Sequence, residues 1–247
     1  MTSRQLLSNL PDSLITIGRK IEEANYEYEI WPLGKEIDGV RYKSYNLEPP
    51  GSEPMLETIL AEASAGDVVL DIGANVGDYS LPLAEKGCRV YAFEPNPQTF
   101  EKFRKNVAAS ASPDRIEPMN LGLSSASDES TFYMSSQSGR SSFNRYNAKY
   151  GDEEIIGTTT VSVETLDGLV ADGEIEPPDY LKIDVEGLGL EVLRGAEQVI
   201  QNYEPNIYFE RHEISDGETR DGKLRSFFEQ LDYEVTERGY PWFCRPK

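Results

Sequence analysis

The sequence predicts a doubly wound α/β fold, and three observations carry the prediction. First, the apolar run Val68-Val69-Leu70 reads as a buried strand that ends in Asp71. A glycine-bearing turn follows, Ile72-Gly73-Ala74-Asn75-Val76-Gly77, and a helix starts at Asp78 or Tyr79. Strand, tight turn and helix form the Rossmann-like nucleotide-binding corner of such sheets. Second, further strand-like runs alternate with helical patterns: Arg89–Phe93, Ile116–Leu121, Tyr180–Val185 and Asn206–Phe209. Third, the second run ends at Glu94, which lies 21 residues after Gly73 (94 − 73). An acid about 20 residues beyond the glycine turn is the ribose-reading position of this architecture.

The elements follow in chain order. Residues 1–25 are helical by the spacing of Leu6, Leu7, Leu10, Leu14, Ile17 and Ile21, with Pro11 dividing the segment in two. Residues 26–48 alternate polar with aromatic and branched residues, as in Tyr26–Trp31 and Val40-Arg41-Tyr42. The alternation predicts a small hairpin turning at Asp38-Gly39. Pro49-Pro50-Gly51-Ser52 is a break, so residues 1–48 form an appendage and residues 49–247 the main domain. A helix over Glu53–Ala63 precedes the glycine-turn strand, and Pro82 fits only in the first turn of the next helix. Pro95-Asn96-Pro97 launches a further helix. Residues 124–151 are a long Ser/Gly/Asn-rich stretch, read as a substrate cover with a short strand at Thr131–Met134. Thr158–Val163 is a β-branched strand. After Asn206–Phe209 a helix over Leu224–Leu231 leads to a closing antiparallel pair, Tyr233–Thr236 and Tyr240–Phe243.

The turn is not the dinucleotide fingerprint, which needs glycine where this chain has Asn75 and Asp78. Asp71 and Asp78 flank the place where a pyrophosphate would sit. A like charge about 6 Å away costs roughly 3 kcal/mol at an effective dielectric of 20. A ligand with an adenosine end and a cationic ammonium and sulfonium is attracted instead. S-adenosylmethionine (SAM) is such a ligand, and an NAD-dependent oxidoreductase is the less favoured alternative.

The 247 residues suffice for one large α/β domain. The formal charge of −20 repels nucleic acid and anionic membranes, and no apolar run reaches the length of a membrane span. Acids are abundant and lysine is scarcer than arginine, a surface suited to a salt-rich, halophilic cytoplasm. Cys88 and Cys244 are expected as free thiols, consistent with a cytoplasmic protein.

Open α/β sheets bind ligands at the carboxyl ends of their strands. Asp71, Glu94, Asp184 with Glu186, and Glu210 with His212 stand at those ends. A carboxylate at Glu94 can accept hydrogen bonds from both ribose hydroxyls. Asn120 leaves the third strand where it can pass the adenine. Asp184 can take an acceptor's proton, bind the methionine amino group or ligate a metal. His212, the single histidine, is a candidate base or orienter, and Lys182 is expected to pair with an acid.

Four stretches in this order resemble the FkbM family of SAM-dependent methyltransferases. They are Asp71–Gly77, Phe93–Pro97, Thr165-Leu166-Asp167, and Lys182–Gly187 with Leu193-Arg194-Gly195-Ala196. The resemblance covers about residues 53–213. It implies a class I methyltransferase fold, with a mostly parallel seven-stranded sheet, a C-terminal antiparallel hairpin and helices on both faces. It also implies methylation of a hydroxyl on a sugar, glycan or small metabolite. By the family pattern the first stretch, with Asp71, Gly73, Ala74, Asn75 and Gly77, cradles the methionine of SAM, Glu94 holds its ribose, and Asp184 and Glu186 border the transfer site; Asn96 and Asn120 are further candidates for holding the cofactor. The chain departs from the pattern at Gly189, where the family carries a second acid. That departure keeps a second reading open, a SAM-binding protein without transferase activity.

Overall fold

The computed structural model describes residues 12–48, 53–135, 141–145, 147–149, 154–211, 217–237 and 241–247. Its centre is a seven-stranded sheet. In chain order the elements begin with helix α1 (Asp12–Tyr28) and a hairpin, β1 (Leu33–Ile37) and β2 (Val40–Ser44). Next come α2 (Pro54–Glu62), β3 (Val68–Ile72), α3 (Ser80–Lys86), β4 (Arg89–Phe93), α4 (Pro97–Ala109) and β5 (Ile116–Met119). Then follow β6 (Gly122–Leu123), β7 (Asp128–Ser135), β8 (Ile155–Glu164), α5 (Leu166–Ala171) and β9 (Tyr180–Ile183). The chain ends with α6 (Gly189–Arg194), α7 (Glu197–Tyr203), β10 (Asn206–Glu210), α8 (Gly217–Gln230), β11 (Tyr233–Glu237) and β12 (Pro241–Pro246).

The large sheet runs β11-β12-β10-β9-β3-β4-β5. Strands β5, β4, β3, β9 and β10 are parallel neighbours, and β12 turns antiparallel against β10 and β11. The order reverses at β3, between β4 and β9, which is the switch point where such sheets open a ligand crevice. All five residues of β3 are buried, as the apolar run requires of a central strand. Alternation sends Val68, Leu70 and Ile72 into the core on one face, with Phe93, Leu181, Ile183 and Leu193. Val69 goes to the other face, with Leu60, Leu81, Val90 and Phe103.

Local chemistry sets the helix starts. Asn96 caps α4 by accepting from the Gln98 N–H at 3.0 Å, with Pro97 opening the helix. Thr165 caps α5 by accepting from the Gly168 N–H at 3.1 Å. Pro82 sits in the first turn of α3, where it removes no helical hydrogen bond.

Two stretches differ from their sequence reading. Tyr26–Tyr28 continue helix α1 rather than starting a strand, and only the Asp38-Gly39 hairpin is β structure there. Burial decides it: Tyr26 packs on Tyr45, and the Asn25 side chain closes the helix end on the Trp31 N–H (2.9 Å) and the Trp31 carbonyl (3.1 Å). In the hairpin, Asp38 and Gly39 both have positive φ (47° and 78°), the geometry of a tight two-residue turn. The expected cover over 124–151 is in part a second sheet, ordered β6-β8-β7. There β7 and β8 pair antiparallel from Asp128↔Val163 to Ser135↔Ile155. Its strands are rich in Ser and Thr and largely exposed on one face, so their apolar signal is weak. Residues 1–11, including Pro11, lie outside the described residues.

The hairpin and α1 are joined to the glycine turn through one buried side chain. Asn106 of α4 accepts from the Tyr45 N–H at 2.8 Å and donates to the Tyr26 hydroxyl (2.9 Å) and the Val76 carbonyl (2.7 Å). Cys88 and Cys244 are buried and in no disulfide. Among the described residues no helix is long and apolar enough to cross a membrane.

Candidate active site

A cleft opens at the carboxyl ends of β3, β4 and β9, with about 700 Å³ of empty space counted to its mouth. Its floor is Gly73, Asn75 and Glu94, one wall is Asp184, Val185, Glu186 and Leu188, and Phe132, Ser142 and Phe143 close over it.

Gly73 and Asn75 shape the floor through the backbone. Gly73 has φ +82°, and a Cβ there would lie 1.9 Å from the Asp184 carbonyl oxygen, so only glycine lets the turn lie against β9. Asn75 takes φ +51°, a region that asparagine tolerates better than most side chains. The N–H groups of Gly73 and Ala74 both donate to the Phe93 carbonyl, at 3.0 and 2.9 Å, which ties the turn to the end of β4.

Glu94 is buried and held from both sides. Its Oε2 accepts from the Asn75 N–H at 2.9 Å and its Oε1 from the Asn96 N–H at 2.8 Å. Burial pushes its carboxyl up to about 7, against those two bonds, which favour the ionised form. A carboxylate has about four acceptor positions. Two are used by these bonds among the described residues. Beside it, the Asn75 amide oxygen is buried with no hydrogen-bond partner among the described residues.

Lys182 is the buried cation of the site. The register sets it directly beside Asp71 on the neighbouring strand, with Nζ 2.9 Å from Oδ1. Nζ also donates to the Gly73 carbonyl at 2.8 Å, lies 3.7 Å from Asp184 Oδ2 and stands over the Tyr79 ring at 4.9 Å. Burial alone would lower its basicity, but Asp71 and Asp184 outweigh it and hold the ammonium protonated. Lys182 therefore pairs with an acid, as its sequence position suggests.

These contacts correct the expected role of the two aspartates. Asp71 is fully buried between Lys182 and the Ser80 hydroxyl (2.6 Å) and does not line the cleft. Asp78 faces Lys35 at 3.8 Å and the Asn46 amide at 3.2 Å. Each is balanced by a lysine distant in sequence, so the charge argument against a phosphate weakens at these positions. The carboxylates that do line the cleft are those of Glu94, Asp184 and Glu186.

Of the other expected contacts, Gly73, Asn75 and Glu94 line the cleft, whereas Ala74, Gly77, Asn96 and Asn120 support it from behind. A Cβ on Gly77 would meet the Phe103 ring at 2.5 Å, so this glycine serves packing of α4 rather than ligand approach. Ala74 packs in the core with Phe103 and Leu81. The Asn120 amide donates to the Glu94 carbonyl at 2.8 Å and steadies the turn after β4. Asp184 and Glu186 both line the cleft, and His212 lies outside the described residues.

The roof comes from the stretch 124–151 expected as a cover, although sequence reasoning did not single out Phe132 or Ser142 within it. Phe132 and Phe143 meet edge to face at 4.9 Å between centroids, and the Ser142 hydroxyl donates to the Glu186 carbonyl at 2.7 Å. Gly122 lies under Phe143, where a Cβ would approach the ring to 2.6 Å. The available signal was the apolar Phe132 within a polar strand and the lone Phe143 in a Ser-rich stretch.

The family model for the methyltransferase FkbM domain matches residues 71–238. The chain belongs to this FkbM family. It is 34% identical over 154 residues to the hexuronic acid methyltransferase AglP of Haloferax volcanii, covering 62% of this chain and 59% of that protein. It is 29% identical over 160 residues to the 31-O-demethyl-FK506 methyltransferase FkbM of Streptomyces tacrolimicus, covering 55% of this chain and 62% of that one. The chain thus spans about three-fifths of the length of each. The crystal structure of methyltransferase FkbM from Methylobacillus flagellatus superposes with a TM-score of 0.54 at 18% identity, over 76% of this chain and 46% of that one. That likeness shows the shared class I methyltransferase fold.

Within the FkbM frame, two of the family-like stretches form a clasp away from the cleft. Asp167 accepts from the Gln198 and Val199 N–H groups at 3.1 and 2.9 Å, and its own N–H donates to the Gly195 carbonyl at 2.8 Å. Gly195 allows the Ser124 carbonyl to approach, since a Cβ there would lie 1.9 Å from it. Gly189 has an equally plain reason. A Cβ on it would fall 2.3 Å from the Phe209 ring, so the family's acid cannot stand here unless Phe209 moves. Glu191 does not take its place; it pairs with Arg194 at 3.4 Å and is not part of the cleft lining.

Proposed function

We propose that this protein is a SAM-dependent O-methyltransferase acting on a hydroxyl of a sugar, glycan or small metabolite. The observation that carries the reading is the Glu94 carboxylate at the cleft floor, fixed by two backbone N–H groups beside the unpaired Asn75 amide oxygen. Both are acceptors, and they suit a ligand that brings several donors, as a ribose with two hydroxyls and an ammonium group do. Residues 49–247 make up the methyltransferase domain in this reading, with residues 1–48 appended.

Bound SAM supplies an electrophilic methyl group. The chain's own residues hold, orient and take protons. Glu94 accepts from the ribose hydroxyls, and Gly73 with Asn75 lets the cofactor lie against the backbone. Asp184, in the cleft wall and 3.7 Å from Lys182, accepts the proton of the acceptor hydroxyl. Glu186 borders the acceptor position, and His212, two residues beyond β10, is a second candidate base. Phe132 and Phe143 exclude water from the reacting groups. The name of the Haloferax relative points to a hexuronic acid as the first acceptor class to try. The net charge of −20 disfavours a nucleic-acid acceptor.

Calorimetry with SAM, S-adenosylhomocysteine and NAD, followed by transfer of labelled methyl to hexuronic acids and other glycans, tests this. Binding of both sulfur compounds and a labelled ether product is expected. Uptake of NAD with no affinity for SAM overturns the reading. Gly189 packed beneath Phe209 supports a second reading, in which SAM binds and no acceptor is methylated.

A further inference from the structure

Helix α1 turns an apolar stripe outward. Ile17, Ile21 and Tyr28, with Ile30 and Trp31 just past the helix end, are between 52% and 69% exposed. Such a contiguous apolar surface on a chain so rich in charge marks a contact site. Tyr26, on the far side of the same helix, is buried against Tyr45, while Asn25 beside the stripe is buried by its bonds to Trp31 and Tyr45. The stripe is therefore not a core face left uncovered by a misplaced helix.

The spacing of the stripe is that of a coiled coil. Ile17, Ile21, Ala24 and Tyr28 recur at intervals of four, three and four residues. Written as a heptad they occupy d, a, d and a, which puts Lys20 and Glu27 at successive g positions and Gly18 and Asn25 at e.

Charge and size then select the partner. In an antiparallel pair of like helices the g residues face one another. An axis between Glu22 and Glu23 brings Lys20 of one copy opposite Glu27 of the other, twice by symmetry. The same axis sets Ile17 against Tyr28 and Ile21 against the small Ala24. The stripe is thus complementary to itself, as a two-fold interface must be. A parallel pair would oppose Lys20 with Asn25 and gain no ion pair. We propose that α1 is a homodimerisation helix, pairing antiparallel with α1 of a second copy through Ile17, Ile21, Ala24 and Tyr28, with the Lys20–Glu27 pairs setting its direction. The inference does not depend on the methyl-transfer reading.

Sedimentation equilibrium of the full chain, at about 0.15 M and about 2 M salt, tests it. A dimer is expected at both, because burial of apolar surface is not screened by salt. Ile21→Glu is expected to raise the dissociation constant by at least about thirtyfold, as loss of a central contact does, with circular dichroism unchanged. Lys20→Glu is expected to weaken the dimer about fivefold at the lower salt by making both flanking pairs repulsive. Lys20→Glu/Glu27→Lys restores it. A chain that stays monomeric at both salts, or a dimer indifferent to Ile21→Glu, overturns the proposal. So does a Lys20→Glu/Glu27→Lys variant no tighter than Lys20→Glu. Covering of the stripe by residues 1–11 of the same chain would show as a monomer whose dye-binding rises when those residues are deleted, and this too overturns it.

Discussion

Replacing Lys182 with methionine keeps most of the side chain's unbranched length, one atom short, and removes its charge. The structure then leaves Asp71 with no exposure to solvent and, among the described residues, only the Ser80 hydroxyl at 2.6 Å as a hydrogen-bond partner. It also removes the donor to the Gly73 carbonyl at 2.8 Å. Breaking one side of a buried ion pair costs about 3–5 kcal/mol, most of it the stranded charge. For a chain of 247 residues each kcal/mol lowers the melting temperature by about 2–4 °C, so a fall of roughly 10 °C is expected. Urea unfolding of wild type, Lys182→Met, Asp71→Asn and Lys182→Met/Asp71→Asn closes the cycle. The double variant should recover about half of the Lys182→Met loss, because the neutral amide that replaces the Asp71 carboxylate still accepts from Ser80 and carries no charge to strand. A Lys182→Met loss below about 1 kcal/mol, or losses that simply add, would refute the view that Lys182 neutralises Asp71.

Glu94→Ala should weaken SAM binding by about 1.5–3 kcal/mol by calorimetry, the loss expected when hydrogen bonds to a charged group are removed. Because burial pushes the Glu94 carboxyl up to about 7, SAM affinity should rise with pH through that value and flatten in Glu94→Gln. Stability runs the other way: the raised value favours the folded state in full below the usual carboxylate range, and that contribution is lost as pH rises through about 7. Asp184→Asn should cut turnover at least tenfold while leaving SAM affinity within about twofold; wild-type turnover would remove Asp184 as the base. Gly189→Asp should cost about 1–3 kcal/mol in urea unfolding through its collision with Phe209, and Gly189→Asp/Phe209→Leu should lose less than the two single changes together. The unfolding midpoint should climb steeply from low to molar salt as the −20 charge is screened, and a salt-independent midpoint would end the halophilic reading.

What the sequence makes legible here is what neighbouring residues decide. The Val68–Leu70 run, the Gly73 turn and Glu94 at a strand end are local patterns, and a cleft opens beside Gly73 and Glu94. The Asp38-Gly39 hairpin is legible for the same reason. The electrostatics of Asp71 are not, because its partner Lys182 comes from a strand far along the chain and meets it only through sheet register. The same holds for Asp78 and Lys35. Helix α1 reaches Tyr28 because Tyr26 is buried against Tyr45 and Asn106, tertiary contacts that an alternating pattern does not reveal. A cover over 124–151 is legible from composition, but the pairing of Phe132 with Phe143 is not, because they are single aromatics in polar surroundings. Only the β7–β8 pairing and the return of the chain over Gly122 bring them together above the cleft.

The hydrogen bonds of Asn106 bear on how the protein can be shortened. The family match begins at residue 71, which invites a trimmed version lacking the first helix and hairpin. Such a cut would strip Tyr26 and Tyr45 from an amide that also grips Val76, and would expose the back of the glycine turn to water. A minimal catalyst made from this chain must therefore keep that helix and hairpin, even though none of their described residues lines the cleft.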